Sequence, residues 1–332
     1  MIQLVLLLVL SWLVVNVHTN VLPVHLFTFH HSDNVSSILD WYLYHSRIVG
    51  FHNIHAIAHR SFDTDIVRKL QSMGADIIRF DGEFADKALV LTEIMRRYVR
   101  IPAFLVPMDI DEYLVAEMGS NHGPTFTANA SKIRWAFSSL PIDGFKYKLY
   151  PYMGYYCNTG NVTDMSRSVP RRVVHFHRVR RTLCGSKSFF HSIGFLQTDQ
   201  GNHFGVVRKD RIECSTSNPR YHNNCGRCFH NITGLGLIHY GLVHSLTYDE
   251  YLAKAIRGST VYNQTATSNC HKGGGQHYCE FMAMRRKVGD EAMKETIEAE
   301  RQCQDKLYNS EVRDALDEFY SDAWNVSSRA HT

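Results

Sequence analysis

Apolar segments of strand length alternate with amphipathic segments of helix length between residues 21 and 111. Strands are expected in VLPVHLFTFHH, NIHAIAHRS, ADIIRFDG and AFLVPMDID, and helices in SSILDWYLYHSRIVG, TDIVRKLQSMG and FADKALVLTEIMRRYVR. Strands that alternate with helices in this way form a parallel sheet with helices on both faces. The sequence therefore predicts an α/β, Rossmann-like fold with a mainly parallel central sheet.

The pattern changes after about residue 120. GFKYKLYPYMGYY and RRVVHFHRVR indicate strands of an antiparallel region, and SLTYDEYLAKAIRGS indicates a helix. All eight cysteines lie in the second half of the chain: Cys157, Cys184, Cys214, Cys225, Cys228, Cys270, Cys279 and Cys303. An even number of cysteines suits disulfides formed in an oxidising compartment. We expect a main domain at residues 21–262 and, at residues 263–332, a Cys-bracketed loop and a C-terminal helical extension packed on that domain.

Cys225 and Cys228 also have the C-x-x-C spacing, with His222 and His230 nearby, so a zinc site is an alternative to disulfides. The sequence has no second C-x-x-C at zinc-finger spacing. Disulfides are therefore the favoured interpretation.

Residues 1–20 are predicted to be a secretory signal peptide. The apolar run from Ile2 to Val17 follows the initiator Met and is shorter than the roughly 20 residues of a membrane-spanning helix, although an uncleaved signal anchor remains an alternative. Six Asn-x-Ser/Thr sequons support the secretory route: Asn34, Asn129, Asn161, Asn231, Asn263 and Asn325. We expect the protein in the ER or Golgi lumen, or outside the cell.

The charge balance excludes one class of partner. The formal net charge is only +4 and is spread along the chain. Binding to nucleic acid needs a broad basic surface, which this composition does not indicate. We therefore expect no nucleic-acid partner, and the oligomeric state is left open.

Asp109 and Asp111 follow directly on the apolar run AFLVPM. In extended backbone, side chains at i and i+2 point the same way, with their Cα atoms about 6.5 to 7 Å apart. Both acids would then face one pocket at the carboxyl edge of the sheet, where α/β folds bind ligands. Such a pair suits Mn²⁺ or Mg²⁺ together with phosphate oxygens, whereas the alternative is that the acids end the strand and face water.

Three further carboxylates lie near this edge in the predicted fold. Asp63 and Asp65 follow the second strand and are candidates for donor binding. Glu112 would point away from Asp111 on an extended backbone. We therefore expect Glu112 to support the loop or the acceptor side of the site, and not to be a metal ligand.

Four motifs resemble a known family. FLVPMDIDEYL is similar to the D-x-D-E-F-hydrophobic segment of GT-A glycosyltransferases, most closely family 92 and its family-2-like relatives. LDWYLYHSRIVGFHNIHAIAHRSFD, GSKSFFHSIGFLQTDQGNHF and LIHYGLVHSLTYDEYLAKAIRGS resemble further motifs of that group, in the same order, over roughly residues 24–260. The resemblance implies a GT-A fold and inverting transfer of a hexose, with galactose favoured, from a UDP-sugar. The acceptor would be a glycan on a glycoprotein, glycolipid or polysaccharide.

The resemblance also implies roles for single residues. His239 corresponds to a late histidine of the family and would complete the metal shell with Asp109 and Asp111, although a structural histidine is the alternative. Lys254 and Lys187 match lysines of the family and are candidates for binding the donor diphosphate, with a solvated basic helix face as the alternative for Lys254. Asp109 could also bind the donor ribose.

His203 is a further candidate for donor or acceptor binding, because Gly201 and Gly205 flank it and let the backbone approach a ligand closely. An inverting transfer needs a general base, for which Asp199 is the candidate and Asp143 the reserve. The resemblance does not fix that residue.

Two other functions compete with the glycosyltransferase hypothesis. One is a secreted carbohydrate-binding protein with a degenerate GT-A fold. The other is a zinc-dependent hydrolase built on the His-rich second half, although that half lacks an H-E-x-x-H pattern.

Overall fold

The structure is a computed structural model that describes residues 22–30, 35–59, 64–82, 86–118, 125–141, 146–149, 151–155, 175–177, 187–199, 201–203, 205–208, 221–224, 227–232, 234–240, 246–261, 276–300 and 307–308. The strands are β1 (Val24–His30), β2 (Asn53–His59), β3 (Asp76–Phe80), β4 (Phe104–Met108), β5 (Glu112–Met118), β6 (Thr125–Thr127), β7 (Lys146–Leu149), β8 (Pro151–Tyr155), β9 (His175–His177), β10 (Lys187–His191), β11 (Phe195–Thr198), β12 (Gly205–Val207), β13 (Tyr221–Asn224), β14 (Arg227–Asn231), β15 (Leu235–His239) and β16 (Leu307–Tyr308). The helices are α1 (Val35–Leu43), α2 (Thr64–Ser72), α3 (Lys87–Arg96), α4 (Ala130–Ser138), α5 (Tyr248–Val261), α6 (Gln276–Val288) and α7 (Asp290–Glu300), with a π-helical turn at Tyr44–Ile48.

The fold is mixed α/β with a mostly parallel central sheet, which confirms the predicted class. Its strand order is β13-β14-β7-β10-β4-β1-β2-β3. Strands β4, β1, β2 and β3 are parallel to their neighbours in this order, and the antiparallel β10 separates them from β7 and β14. The four predicted strands of the first half are thus adjacent in space, consistent with a Rossmann-like arrangement.

Helices cover both faces of this sheet. Leu26, Ile54 and Val106 belong to one buried cluster, which includes residues of α1, α2 and α4. Phe27, Ile57 and Leu105, on the same three strands, belong to a second cluster, which includes residues of α3. Successive side chains of a strand point to opposite faces, so strands buried on both faces are apolar throughout, as the sequence shows.

A second sheet has the strand order β16-β9-β8-β15-β5-β6. The sequence patterns do not predict β5, which begins at Glu112 and is separated from the end of β4 by residues 109–111. Strand β15 is antiparallel to β5, with Ile238 opposite Tyr113 and His239 opposite Glu112. The two sheets therefore meet at residues 109–111.

Side chains of α1 and of the π-helical turn form hydrogen bonds with the first part of β5. Among the described residues, β6 pairs with the last part of β5, at Ala116–Met118. Trp41 Nε1 donates to the Glu112 carbonyl at 2.8 Å, and the Tyr44 hydroxyl donates to the Leu114 carbonyl at 2.6 Å. These bonds satisfy backbone groups at the start of β5, next to the junction of the two sheets.

His45 completes this set of contacts. Its Nδ1 lies 2.9 Å from the Trp41 carbonyl, and its Nε2 accepts from the Leu114 amide at 3.4 Å. This pattern requires a neutral ring with its hydrogen on Nδ1. Burial lowers the pKa of His45 to about 3, and the bond to the Trp41 carbonyl opposes that shift.

The C-terminal region is described in part. Cys279 in α6 is buried and disulfide-bonded. The side chains of the other seven cysteines lie outside the described residues, so the disulfide-stapled loop stays a prediction, as does the zinc alternative at Cys225 and Cys228. Tyr248 and Tyr251 of α5 pack on Phe281 of α6, and the Tyr248 hydroxyl donates to Asp290, the first residue of α7, at 3.1 Å.

None of the helices in the described part of the chain is long and apolar enough to cross a bilayer. The predicted signal segment at residues 1–20 lies outside the described residues.

We expect His45 to make stability depend on pH. Its folded-state pKa of about 3 lies below the ordinary value of 6.5, so the unfolded chain binds more protons between these values. The free energy of unfolding should therefore fall as the pH falls below about 6.5, by up to about 1.4 kcal/mol per pH unit from this residue.

Urea unfolding at several pH values between 7 and 4 measures this slope. His45→Gln should flatten it, whereas replacement of the exposed His52 by Gln should leave it unchanged. Equal slopes in all three proteins would show that His45 does not contribute.

Candidate functional site

The D-x-D motif lies in a turn between the two sheets. Strand β4 ends at Met108, and the Glu112 amide donates to the Asp109 carbonyl at 3.1 Å, which closes a turn of four residues. The turn is at the carboxyl end of β4, as predicted. The extended geometry expected for Asp109 and Asp111 is wrong, because the chain reverses here to begin β5.

Seven side chains form a carboxylate cluster: Asp109, Asp111, Glu112, Lys87, Lys187, Lys254 and His239. Four of these residues belong to β5, β10, β15 and α5, and Lys87 is the first residue of α3. Both sheets and two helices thus contribute to one cluster. The motif alone indicates only its first three members.

Asp109 is bound between two buried lysines. Lys87 Nζ lies 2.6 Å from Oδ1, and Lys187 Nζ lies 2.7 Å from Oδ2. Burial by itself would raise the pKa of Asp109, but the two ammonium groups lower it well below its usual range. Both oxygens of this carboxylate are therefore occupied by ion pairs.

Lys187 has three acceptors around its ammonium group. Besides Asp109, these are the Gly201 carbonyl at 2.8 Å and Glu112 Oε1 at 2.9 Å. Burial would lower the pKa of Lys187, but the two carboxylates raise it above its ordinary value. An ammonium group has three hydrogens, so a bond from Lys187 to a donor phosphate would replace one of these contacts.

Asp111 is paired with residues from β15 and α5. Lys254 Nζ lies 2.7 Å from Oδ2, and His239 Nε2 lies 3.3 Å from Oδ1. The Tyr240 amide donates to the Asp111 carbonyl at 2.7 Å and so fixes the end of β15 against the turn. Burial would raise the pKa of Asp111, but Lys254 and His239 hold it well below its usual value.

Glu112 is fully buried in the cluster. Its Oε2 accepts from the Asp109 amide at 2.8 Å, a contact that supports the loop. Burial raises the pKa of Glu112, and the charge of Asp109 adds to that effect while Lys187 opposes it. The side chain does not point away from Asp111, since the turn replaces the extended backbone on which that expectation rested.

Asp111, Glu112 and His239 form a group that could hold a metal ion. One ligand atom from each lies within 4.8 Å of the other two. Two carboxylates and an imidazole are suitable ligands for Mn²⁺, so these residues fit the predicted metal. Asp109, predicted as a ligand, is not in this group and has both oxygens in ion pairs with lysines.

Residues 201–203 lie against β10 beside Lys187. The Ser188 hydroxyl donates to the His203 carbonyl at 2.7 Å, and the Asn202 amide donates to the Asp199 carbonyl at 3.2 Å. Asn202 has a φ of 55°, a conformation that Asn tolerates better than most residues. These backbone contacts therefore hold two predicted residues near the cluster. They are the candidate base Asp199 and His203, the candidate for donor or acceptor binding.

The glycines beside His203 are required by packing within the chain. A Cβ on Gly205 would lie 2.7 Å from the Gln197 carbonyl oxygen and 2.3 Å from the Phe190 ring. A Cβ on Gly201 would lie 2.5 Å from the His203 ring. The close approach predicted from these glycines is therefore observed between parts of the protein itself.

The remaining predicted donor-binding and base residues are not brought into the cluster by the described contacts. Asp65 is exposed in the first turn of α2 and pairs with Arg68. Asp63 and Asp143 lie outside the described residues.

Lys87 is the member of the cluster that the sequence does not indicate. It is 22 residues before Asp109 and begins α3, the helix that lies between β3 and β4 in the chain. A single lysine at the start of an amphipathic helix has no distinctive spacing. Only the packing of α3 against the sheet shows that it is buried beside Asp109.

We expect Lys187→Met to be strongly destabilising, because it leaves the buried Glu112 and the half-buried Asp109 with less positive charge around them. Removing one partner of a buried ion pair costs about 3 to 5 kcal/mol. Lys69→Met, on the exposed face of α2, removes the same charge and should cost less than about 0.5 kcal/mol.

Urea unfolding of Lys187→Met, Glu112→Gln and the double variant tests the ion pair directly. The double variant should be less destabilised than the sum of the two single changes, because Gln removes the charge that Lys187 neutralises. Additive losses would contradict an interaction between these two side chains.

Known proteins were compared with the chain in two ways. A scan against protein-family models finds no match, and a search of the curated proteins finds none either.

Proposed function

We propose that the protein is a metal-dependent, inverting glycosyltransferase of the GT-A fold that moves a hexose, with galactose favoured, from a UDP-sugar to a glycan acceptor. The observation that supports this most is the group formed by Asp111, Glu112 and His239. Asp111 lies in the turn after β4, at the carboxyl end of a parallel strand, where α/β sheets bind ligands, and Glu112 and His239 belong to the adjoining ends of β5 and β15.

The chemistry of sugar transfer gives each part of this group a use. A bound Mn²⁺ or Mg²⁺ would neutralise the negative charge that develops on the diphosphate leaving group. Asp111, Glu112 and His239 would hold the ion by two carboxylates and an imidazole. Asp109 keeps the turn in place through its ion pairs with Lys87 and Lys187. Because it is the first acid of the D-x-D motif, it is also proposed to bind the donor ribose.

The acceptor side needs a group that removes a proton from the attacking hydroxyl. Asp199 is proposed for this step, and Asp143 is the reserve. The Asp199 carbonyl accepts from the Asn202 amide, and Asn202 in turn is bonded to β10 beside Lys187. The proposed location is the secretory pathway, on the basis of the leader and the six sequons. Disulfides in the second half would suit that compartment.

Release of UDP from a panel of UDP-sugars with Mn²⁺ tests the proposed reaction. Asp111→Asn should lower kcat/KM by about 100-fold or more, because one ligand loses its charge while the side chain keeps its size. Chelation of the metal with EDTA should abolish the activity, and added Mn²⁺ should restore it.

Asp249→Asn is the matched control, since Asp249 is an exposed acid in the first turn of α5. Its activity should equal that of the wild-type protein. Absence of metal-dependent UDP release or transfer from every donor would overturn the proposal, and glycan binding without turnover would favour the carbohydrate-binding alternative.

A further inference from the structure

Each carboxyl group of the cluster already has a positive partner. Asp109 pairs with Lys87 and Lys187, Glu112 pairs with Lys187, and Asp111 pairs with Lys254. Three carboxyl groups therefore face three ammonium groups. The formal charge of these six groups is balanced before any ligand binds.

The three lysines differ in their access to solvent. The side chains of Lys87 and Lys187 are 7% and 6% exposed, whereas that of Lys254 is 26% exposed. Lys254 extends from α5 on a flexible four-carbon stem. It is therefore the lysine that can leave its carboxylate with the least loss of packing.

A divalent cation held by Asp111, Glu112 and His239 would share Asp111 with Lys254, whose Nζ lies 2.7 Å from Oδ2. Two positive charges on one carboxylate oppose each other, and the effect is stronger in a partly buried site than in water. The cation alone would also leave the balanced cluster with excess positive charge. Binding of the metal by itself is therefore disfavoured.

A diphosphate removes both obstacles. Its oxygens accept hydrogen bonds from an ammonium group, so Lys254 can turn from Asp111 to the phosphate without losing a charged partner. Its negative charge balances the charge of the metal. The same movement frees the Asp111 oxygen that Lys254 occupies.

We propose that Lys254 couples the two ligands, so that a divalent cation binds tightly only together with a diphosphate. This inference rests on the proposed function and adds that the two ligands of its site bind tightly only together. Lys254 is a positioning residue here, since it acts on the metal through Asp111. Coupling of this kind is reciprocal, so the metal raises the affinity for the diphosphate by the same factor.

Binding of Mn²⁺ to the full chain, measured by the electron paramagnetic resonance of free Mn²⁺, tests the coupling without measuring activity. The titration is made with Mn²⁺ alone, with UDP and with UMP, which lacks the diphosphate. In the wild-type protein UDP should tighten Mn²⁺ binding about tenfold or more. UMP should have a much smaller effect.

Two variants remove the charge of Lys254. Lys254→Gln keeps an amide that can bond to Asp111, and Lys254→Met keeps the length of the side chain. Both should bind Mn²⁺ alone more tightly than the wild type, by about tenfold, and should lose a similar factor from the effect of UDP. Lys69→Met removes one charge from an exposed helix face, so it should resemble the wild type.

The phosphate–metal bond itself would couple the ligands in any such site, and the variants isolate the part due to Lys254. If Lys254→Gln and Lys254→Met bind Mn²⁺ alone no more tightly than the wild type, or keep its full UDP effect, the inference is overturned while the proposed function stands. If the wild type binds neither Mn²⁺ nor UDP in any combination, the proposed function fails, and the inference fails with it.

Discussion

The ammonium group of Lys187 holds the junction of the two sheets together. It reaches from β10 of the central sheet to Glu112, the first residue of β5 in the second sheet, and to Asp109 in the turn between them. A buried charge is tolerated only when it is paired and hydrogen-bonded. The turn that contains the motif is therefore fixed by charge pairing inside the protein, and its shape does not require a ligand.

The same junction is supported from the opposite side by an apolar helix with a few polar atoms. Trp41 and Tyr44 donate to backbone carbonyls of β5, and the neutral ring of His45 accepts from the backbone between them. The π-helical turn that starts at Tyr44 contributes a bond from the Val49 amide to the Tyr44 carbonyl at 2.9 Å. Turns of this kind are rare overall, and those that occur are often found near functional sites. This one begins one helix turn after Trp41, which donates to the Glu112 carbonyl.

Much of the central sheet could be predicted from the sequence because its strands are buried on both faces and its helices have apolar stripes. The position of Asp109 and Asp111 at the end of β4 followed from that pattern. The contacts of these two side chains could not be predicted in the same way. A turn replaces the expected extended segment, and this changes the direction of the side chains that follow Met108. Lys87 and Glu112 became part of the cluster through the packing of α3 and the pairing of β5, which are contacts between distant parts of the chain.

For His239, too, the sequence indicated the residue but not the side chains that it contacts. A histidine after an apolar run has no distinctive spacing to Asp111, which lies 128 residues earlier by the numbering of the chain. The resemblance to a family indicated the residue, and the register of β15 against β5 places it opposite Glu112. Local patterns predict which segments are strands, whereas the pairing of those strands decides which side chains meet.

The register of β15 also limits how this chain can change in length. Because side chains alternate between the faces of a sheet, one residue inserted or deleted within β15 would move His239 to the opposite face. The same change between β15 and α5 would leave that face intact, since loops accept altered length far more readily than paired strands. In related sequences, insertions and deletions are therefore expected after Tyr240 and not within Leu235–His239. The number of residues between the end of β15 and Lys254 can then differ while the strand keeps its length.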